Sequence, residues 1–341
     1  ADSSGIWNIC NETSFPFLRW QNIACDSIIN IFCGGSGTLA APYEICNLQQ
    51  FEDFADYINA GNGENTANKY YKLMTDLDFI GYGNWIPIGN SISRFHGKFN
   101  GNAKVLRNLT INDSINYQGL FGCIEGAKIQ NLGIENCNVS GASYVGALVG
   151  HVSNTSLILS CYATGYVKGT GNDVGGLVGD NGTLINCFAA VDVEGGNDVG
   201  GLVGSTMDGY INNCYATGTV KGTDNVGGLV GDYYQTDGCY ISNSIAANDS
   251  IIATTNTTNV NRIFGYTNYE NRSYMYALNT MVVQSNNTTI TVTNNTVVSG
   301  LAQFLATLTN LSFYTTSSNW EINDLWSIAD PSGIWQICNG E

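Results

Sequence analysis

Apolar and polar residues alternate with period two through the middle of the chain, and the alternation restarts about every 25–29 residues. Cys161, Ala163, Gly165 and Val167 share one face, followed by Cys187, Ala189, Val191 and Val193, and by Cys214, Ala216, Gly218 and Val220. The opposite face carries Tyr162, Thr164, Tyr166 and Lys168, and later Tyr215, Thr217, Thr219 and Lys221. The first face is small and apolar and is expected to point inward; the second is polar and aromatic and meets water. Between these runs Val-Gly-Gly-Leu-Val-Gly recurs at 174–179, 199–204 and 226–231, with Val-Gly-Ala-Leu-Val-Gly at 145–150 and Gly-Leu-Phe-Gly at 119–122. Each hexamer is expected to form a short facing strand that stacks Leu177, Leu202 and Leu229 in the core. Asn172-Asp173, Asn197-Asp198 and Asp224-Asn225 supply the turns before it. A unit this short cannot bury its own apolar face, so copies must stack, which makes a β-solenoid.

Aligning the repeats on cysteine matches Asn136-Cys137, Ser160-Cys161, Asn186-Cys187 and Asn213-Cys214, with Asn243-Ser244 as a fifth copy. Toward the ends the period changes. Leu48, Phe51, Phe54, Ala55 and Ile58 fall on one helical face over 47–58, with Asn47 as N-cap. Leu301, Phe304, Leu305 and Leu308 repeat the pattern over 300–311 after Ser299. Two amphipathic helices flanking a repeat array are expected to cover its open edges. The chain divides into a Cys-rich extension (1–41), a segment with a helix and the first rungs (42–117), the repeat solenoid (118–265), and closing rungs with a helix and terminal strand (266–341).

Composition narrows the function. Charged residues make up 12% of the 341 and the formal net charge is −16, which disfavours a nucleic-acid partner. No apolar run reaches the roughly 20 residues that span a bilayer. A start at Ala1-Asp2 is expected of a mature product whose signal peptide is gone, or of a trimmed chain. Thirteen Asn-X-Ser/Thr triplets point outside the cell: Asn11, Asn108, Asn112, Asn138, Asn154, Asn181, Asn248, Asn256, Asn271, Asn286, Asn287, Asn294 and Asn310. Such triplets also arise by chance in an Asn- and Thr-rich chain.

Eleven cysteines fit an oxidising compartment. Cys10, Cys25, Cys33 and Cys46 lie where little core is available and are disulfide candidates. Cys338 could join Cys10 within a chain or between chains. The ladder Cys137, Cys161, Cys187 and Cys214 faces the core, as free thiols or as rung-to-rung disulfides. Ser4-Gly5-Ile6-Trp7-Asn8-Ile9-Cys10 is echoed by Ser332-Gly333-Ile334-Trp335-Gln336-Ile337-Cys338. Matching ends suit head-to-tail continuation into a filament, with Trp7, Cys10, Trp335 and Cys338 at the contact. An internal duplication, or a fragment of a longer tandem array, would give the same pattern.

These features resemble the GLUG-motif family of surface proteins, named for the Gly-Leu-Val-Gly core. The likeness extends over about 42–335. It begins at Pro42-Tyr43-Glu44-Ile45 and Asn47 to Phe54, then Leu73 to Phe79 and Trp85-Ile86-Pro87-Ile88-Gly89. Phe95-His96-Gly97-Lys98-Phe99-Asn100-Gly101-Asn102 and Leu106-Arg107-Asn108-Leu109-Thr110-Ile111 follow. The resemblance implies an all-β fold, a right-handed β-solenoid (β-helix) with short capping helices near both ends. It also implies the roles of the family: secreted adhesins, surface-layer components and appendages of large enzymes. The acidity, sequons and cysteines are similar to those of an archaeal envelope protein, a sheath or surface-layer subunit.

Chemistry is sparsely supported. Only His96 and His151 are present, which limits general-base chemistry near neutral pH, and no clustered carboxylates frame His151. His96 is expected on a surface strand. Asp76 and Asp78 share one face of a strand, a pair that serves glycosidases or, more simply, caps turns. The turn carboxylates Asp173, Asp180, Asp198, Asp224 and Asp232 could gather calcium, although their spacing matches no calcium repeat. Tyr162, Tyr166, Phe188 and Tyr215 form an outward stripe that could stack on sugars, pack on a neighbour or stack across rungs. The expected function is a secreted, glycosylated, non-enzymatic structural protein that self-assembles into a sheath, surface layer or filament. The alternative is an adhesin that binds glycans through the aromatic stripe.

Overall fold

The computed structural model describes the backbone of Trp7–Asn8 and Phe17–Leu18, and residues 31–309 apart from 154–155, 208, 235–239, 269–273, 294–295 and 297. The chain winds into a β-solenoid of about nine turns. Successive turns pair in parallel, so like residues stack one rung apart. One inward column runs Tyr71, Phe99, Ile129, Ile158, Leu184, Ile211 and Ile241, all buried. Three parallel sheets share this core. The longest starts at Tyr43–Ile45 and Tyr70–Leu73, passes through Lys98–Arg107, Lys128–Gly141 and Leu157–Gly169, and ends at Met275–Leu278 and Leu301–Gln303. A six-stranded sheet runs from Phe121–Glu125 to Phe264–Thr267, and a four-stranded sheet from Val174–Gly175 to Val260–Asn261.

The hexamer is a corner rather than one facing strand. Val174 pairs with Val199 in the four-stranded sheet, whereas Val178 pairs with Val203 in the six-stranded sheet. Leu177, Leu202 and Leu229 sit at the bends, fully buried. The bend is too tight for a side chain: a Cβ at Gly175, Gly200 or Gly227 would lie 2.0, 1.9 or 2.0 Å from the carbonyl oxygen three residues on. The turn residues Asp173, Asp198 and Asn225 all adopt left-handed φ of 60°, 58° and 50°, a region Asp and Asn tolerate better than most residues.

The cysteine alignment is corrected at its first member. Cys161 stands opposite Leu132, while Cys137 stands opposite Gly165. The strand Lys128–Gly141 contains two left-handed asparagines, Asn131 and Asn136, and it is Asn131 that matches Ser160. The remaining ladder explains its own composition. Each left-handed residue (Ser160, Asn186, Asn213, Asn243) turns the carbonyl before it inward, toward the side chain that follows. Cys161, Cys187 and Cys214 each donate a thiol hydrogen bond to the carbonyl two residues back, at 3.4, 3.3 and 3.2 Å. Ser244 does the same with its hydroxyl at 2.8 Å. These cysteines are free, buried thiols, as are Cys123 and Cys137. Of the disulfide candidates, Cys33 and Cys46 are joined; Cys10, Cys25 and Cys338 lie outside the described residues.

The first turns are filled by rings. The helix Leu48–Tyr57 is N-capped by Asn47, whose side-chain oxygen accepts from Gln50 N at 2.9 Å. Gln50 in turn accepts from Cys46 N at 2.8 Å. Its buried face, Phe51, Phe54 and Ala55, enters an aromatic core in which Phe51 stacks on Trp85 at 5.2 Å. The second expected helix is corrected. Leu301–Gln303 adds to the long sheet beside Tyr276–Leu278, leaving only Leu305–Leu308 helical. The unpaired edge of Tyr276–Leu278 outcompetes the longer helix; in the short helix that remains Leu308 is covered, while Phe304 and Leu305 are 68% and 58% exposed. Nearby, Val282–Ser285 folds back on Thr288–Thr289 as an antiparallel hairpin. Its turn is made by Asn286 and Asn287, both left-handed.

Candidate functional site

Where the corner column meets the six-stranded sheet, the winding brings four carboxylates into one stripe. Asp173 and Asp198 come from the left-handed corner. Asp180 and Asp232 come from the sheet, on either side of Ser205. Burial, then the charges of Asp180, Asp198 and Asp232, push Asp173 up to about 7. Burial and Asp198 push Asp232 up to about 6. Asp198 is also raised, by burial first and then by Asp224 and Asp180, against the Asn225 amide that donates to it at 2.6 Å. Asp224 accepts from the Thr257 hydroxyl and the Asn225 backbone N–H. Among the described residues no group of three or more His, Cys, Asp or Glu converges so as to hold a metal ion. The stripe is a line of carboxylates that raise one another's proton affinity.

His151 abuts this stripe. Its Nδ1 is 2.8 Å from Asp180 Oδ2, and its Nε2 is 2.9 Å from Ser153 Oγ. The expectation that no carboxylate frames His151 is corrected: Asp180 reaches it from the next rung. The signal was in the repeat itself, since Val149-Gly150-His151 aligns with Val178-Gly179-Asp180. An Asp–His–Ser chain can relay a proton and activate a serine when oxyanion donors stand beside it. Here Ser153 and His151 lie two residues apart on one outward strand face, under the stacked rings of Tyr117 and Tyr144.

The other candidates are tied up in structure. Asp76 accepts from Arg107 at 2.9 Å and from Val105 N at 3.0 Å, and Asp78 accepts from Asn108 at 2.7 Å and from Ile80 N at 3.0 Å. These bonds hold both carboxylates below their usual range, which disfavours the general-acid role. His96 is largely covered rather than a surface residue, with Glu64 3.3 Å from its Nε2. In the aromatic stripe, Phe188 is sandwiched face to face between Tyr162 at 4.8 Å and Tyr215 at 4.7 Å. Tyr162 covers Gly133 on its other side, and Tyr215 pairs with Ile245 on the next rung. Tyr166 lies outside the stack and donates to Glu194 at 2.9 Å. The stacked rings leave no broad face for a sugar.

The sequons divide. Asn112, Asn138, Asn256, Asn286 and Asn287 are exposed, and Asn108 and Asn181 are half-buried. Asn248 is fully buried, its amide against Gly201 and Gly228, so it is no acceptor in the folded chain. Asn11, Asn154, Asn271, Asn294 and Asn310 lie outside the described residues, as do Trp335 and the side chain of Trp7.

Comparison with known proteins agrees with this picture of a repeat scaffold. The family model for the GLUG motif matches residues 141–168 and 195–221. A protein of Evansella cellulosilytica named as a Gly-rich membrane protein is 37% identical over 132 residues, covering 36% of this chain and 14% of that protein. Halomucin of Haloquadratum walsbyi is 34% identical over 153 residues, 43% of this chain and 2% of halomucin. The chain thus spans only a small part of the curated relatives it matches. A solved structure from Bacteroides ovatus, described as an immunoglobulin A1 protease, superposes with a TM-score of 0.72 at 24% identity. It covers 90% of this chain and 96% of the other. That likeness concerns the fold alone. Among the described residues no helix is long and apolar enough to cross a membrane, which says nothing of β-barrels.

Proposed function

We propose that this GLUG-motif β-solenoid is a structural subunit of a secreted, N-glycosylated surface layer, sheath or filament, and catalyses no reaction. One observation carries the reading: polar side chains on successive rungs are spent on one another in ladders. Asn108, Asn136 and Asp78 bond in series, Asn213 donates to Asn186, and Asn259 donates to Asn225, which donates to Asp198. Such ladders stiffen a rod and leave its flanks for lateral packing. The name of the Evansella relative, a Gly-rich membrane protein, supports a place at the cell envelope. The exposed sequons would carry the glycans. The paired heptads at 4–10 and 332–338 would join copies head to tail through Trp7, Cys10, Trp335 and Cys338. Electron microscopy of purified protein, with and without reductant, is expected to show filaments, hoops or sheets that loosen on reduction. Monodisperse rods in both conditions would remove self-assembly.

The Asp180–His151–Ser153 chain is the one observation favouring a hydrolase instead. On the structural reading it is a counter-group to the acidic stripe, and a fluorophosphonate probe is expected to leave Ser153 unlabelled. Stoichiometric labelling, lost in His151→Gln, would establish an activated serine.

A further inference from the structure

The twelve Lys and Arg residues are unevenly placed. Residues 69–128 hold seven of them against four carboxylates, while 129–253 hold two against eleven. Several of these cations have acidic partners: Arg94, Arg107, Lys168 and Lys221 all form ion pairs. Lys72, Lys98 and Lys128 form none among the described residues. In so acidic a chain, three cations without a carboxylate partner on one surface need a reason.

They line a groove of about 380 Å3 on the outward face of the long sheet, with Tyr70, Asn100 and Gln130. The register makes it a grid. Tyr70, Lys98 and Lys128 stack on consecutive rungs in one column, and Glu44, Lys72, Asn100 and Gln130 in the next, where Glu44 stands one rung before Lys72 without forming an ion pair with it. Lys98 donates one hydrogen bond to the Gly126 carbonyl at 2.6 Å, which pins the ammonium while leaving its other two donors free. Burial and the neighbouring Lys128 charge both press Lys98 to give up its proton, a strain that a bound anion would relieve.

We propose that this groove binds an acidic polysaccharide, its carboxylates on Lys72, Lys98 and Lys128 and its hydroxyls on Asn100 and Gln130. Three features select this class. Cations one rung apart, about 4.8 Å, match a polymer with one carboxylate per sugar. A duplex nucleic acid, with about one charge per 1.7 Å, would set about three charges against each rung, where this grid offers one cation. Amide side chains between the lysines can both donate to and accept from hydroxyls. Finally, Tyr70 stacks with no other ring among the described residues, unlike Tyr162, Phe188 and Tyr215, so a face remains for the apolar side of a sugar. The site is independent of self-assembly, since a single rod presents the whole of it.

The test is calorimetric titration of the full chain with a galacturonate hexamer, its fully methyl-esterified form and a polyphosphate of matched charge. Saturable binding of the hexamer is expected, weakening steeply with salt and absent for the ester. Lys98→Gln/Lys128→Gln should weaken it about tenfold at an unchanged melting temperature, and Tyr70→Ala should weaken the hexamer but not the polyphosphate. The partly covered Lys98 makes Lys72→Gln/Lys128→Gln a useful second variant, expected to act in the same direction. No saturable binding, equal affinity of variant and parent, or polyphosphate binding as tightly as the hexamer would overturn the assignment.

Discussion

Gly200→Ala is expected to destabilise the solenoid by about 3 kcal/mol or more, close to the limit of what a single substitution does. The added methyl would lie 1.9 Å from the Val203 carbonyl oxygen and 2.8 Å from Gly231 N on the next rung. Both obstacles are backbone, so no side chain can swing aside. Moving the carbonyl would also disturb the ladder, because Val203 pairs with Val230 and Val178. The glycine one residue later behaves differently. The first full hexamer already carries Ala147 at that position, and its amide reaches Gly176 O at a long 3.4 Å. Gly176→Ala, whose methyl would meet Gly201 O at 2.2 Å, should therefore find a precedent for relaxation and cost only about 1–2 kcal/mol. Denaturant melts of the two variants check this. Small costs at both sites would mean that the corner bends freely and that the hexamer is not fixed by close backbone approach.

The two glycines also separate what the repeat period dictates from what stacking adds. Stacking itself, the inward and outward faces and the buried leucines follow from period and apolarity alone, and they hold. Two properties of a parallel stack are not written in a single repeat. One is register around left-handed residues: Asn131-Leu132 and Asn136-Cys137 look alike, and only the pairing of Ser160 with Asn131 decides between them. The other is adjacency across rungs. His151 and Asp180 are 29 residues apart, and Lys98 and Lys128 are 30 apart, so each pair looks unrelated until the turns are superposed. The cysteine column was legible as small and buried, but its role as a donor to an inward carbonyl emerges only from the φ of the residue before it. The C-terminal helix failed for a different reason. Its apolar periodicity competed with an open sheet edge, and the edge offered hydrogen bonds that a short helix could not replace.

The same adjacency makes the fold sensitive to pH, in an unusual direction for an acidic protein. Asp173 at about 7, Asp232 at about 6 and a raised Asp198 keep protons in the fold that the unfolded chain, with an aspartate value near 3.8, releases. Their unfavourable contribution is absent below about pH 4, grows as pH climbs through the interval up to about 7, and is complete above it. Asp76, Asp78 and Glu194, held below their usual range, work oppositely and lose their contribution only in stronger acid. Stability should therefore peak near pH 4 and fall by about 2–4 kcal/mol toward pH 8, after allowing for the partial exposure of the stripe. For a chain this size that is a drop of roughly 3–6 °C in melting temperature. Concentrated salt should shrink it, because the repulsion is between partly solvated charges. Asp173→Asn/Asp232→Asn should flatten the profile and raise stability at pH 8. Asparagine suits the left-handed φ of 60° at position 173, as Asn225 already shows in the same column. At 232 the change relieves a buried carboxylate oxygen that has no hydrogen-bond partner. Melting curves across this pH range, for parent and double variant, decide the matter. A parent profile that is flat or rises toward pH 8, or a variant that keeps the parent's slope, would mean that the stripe is solvated rather than shared between rungs.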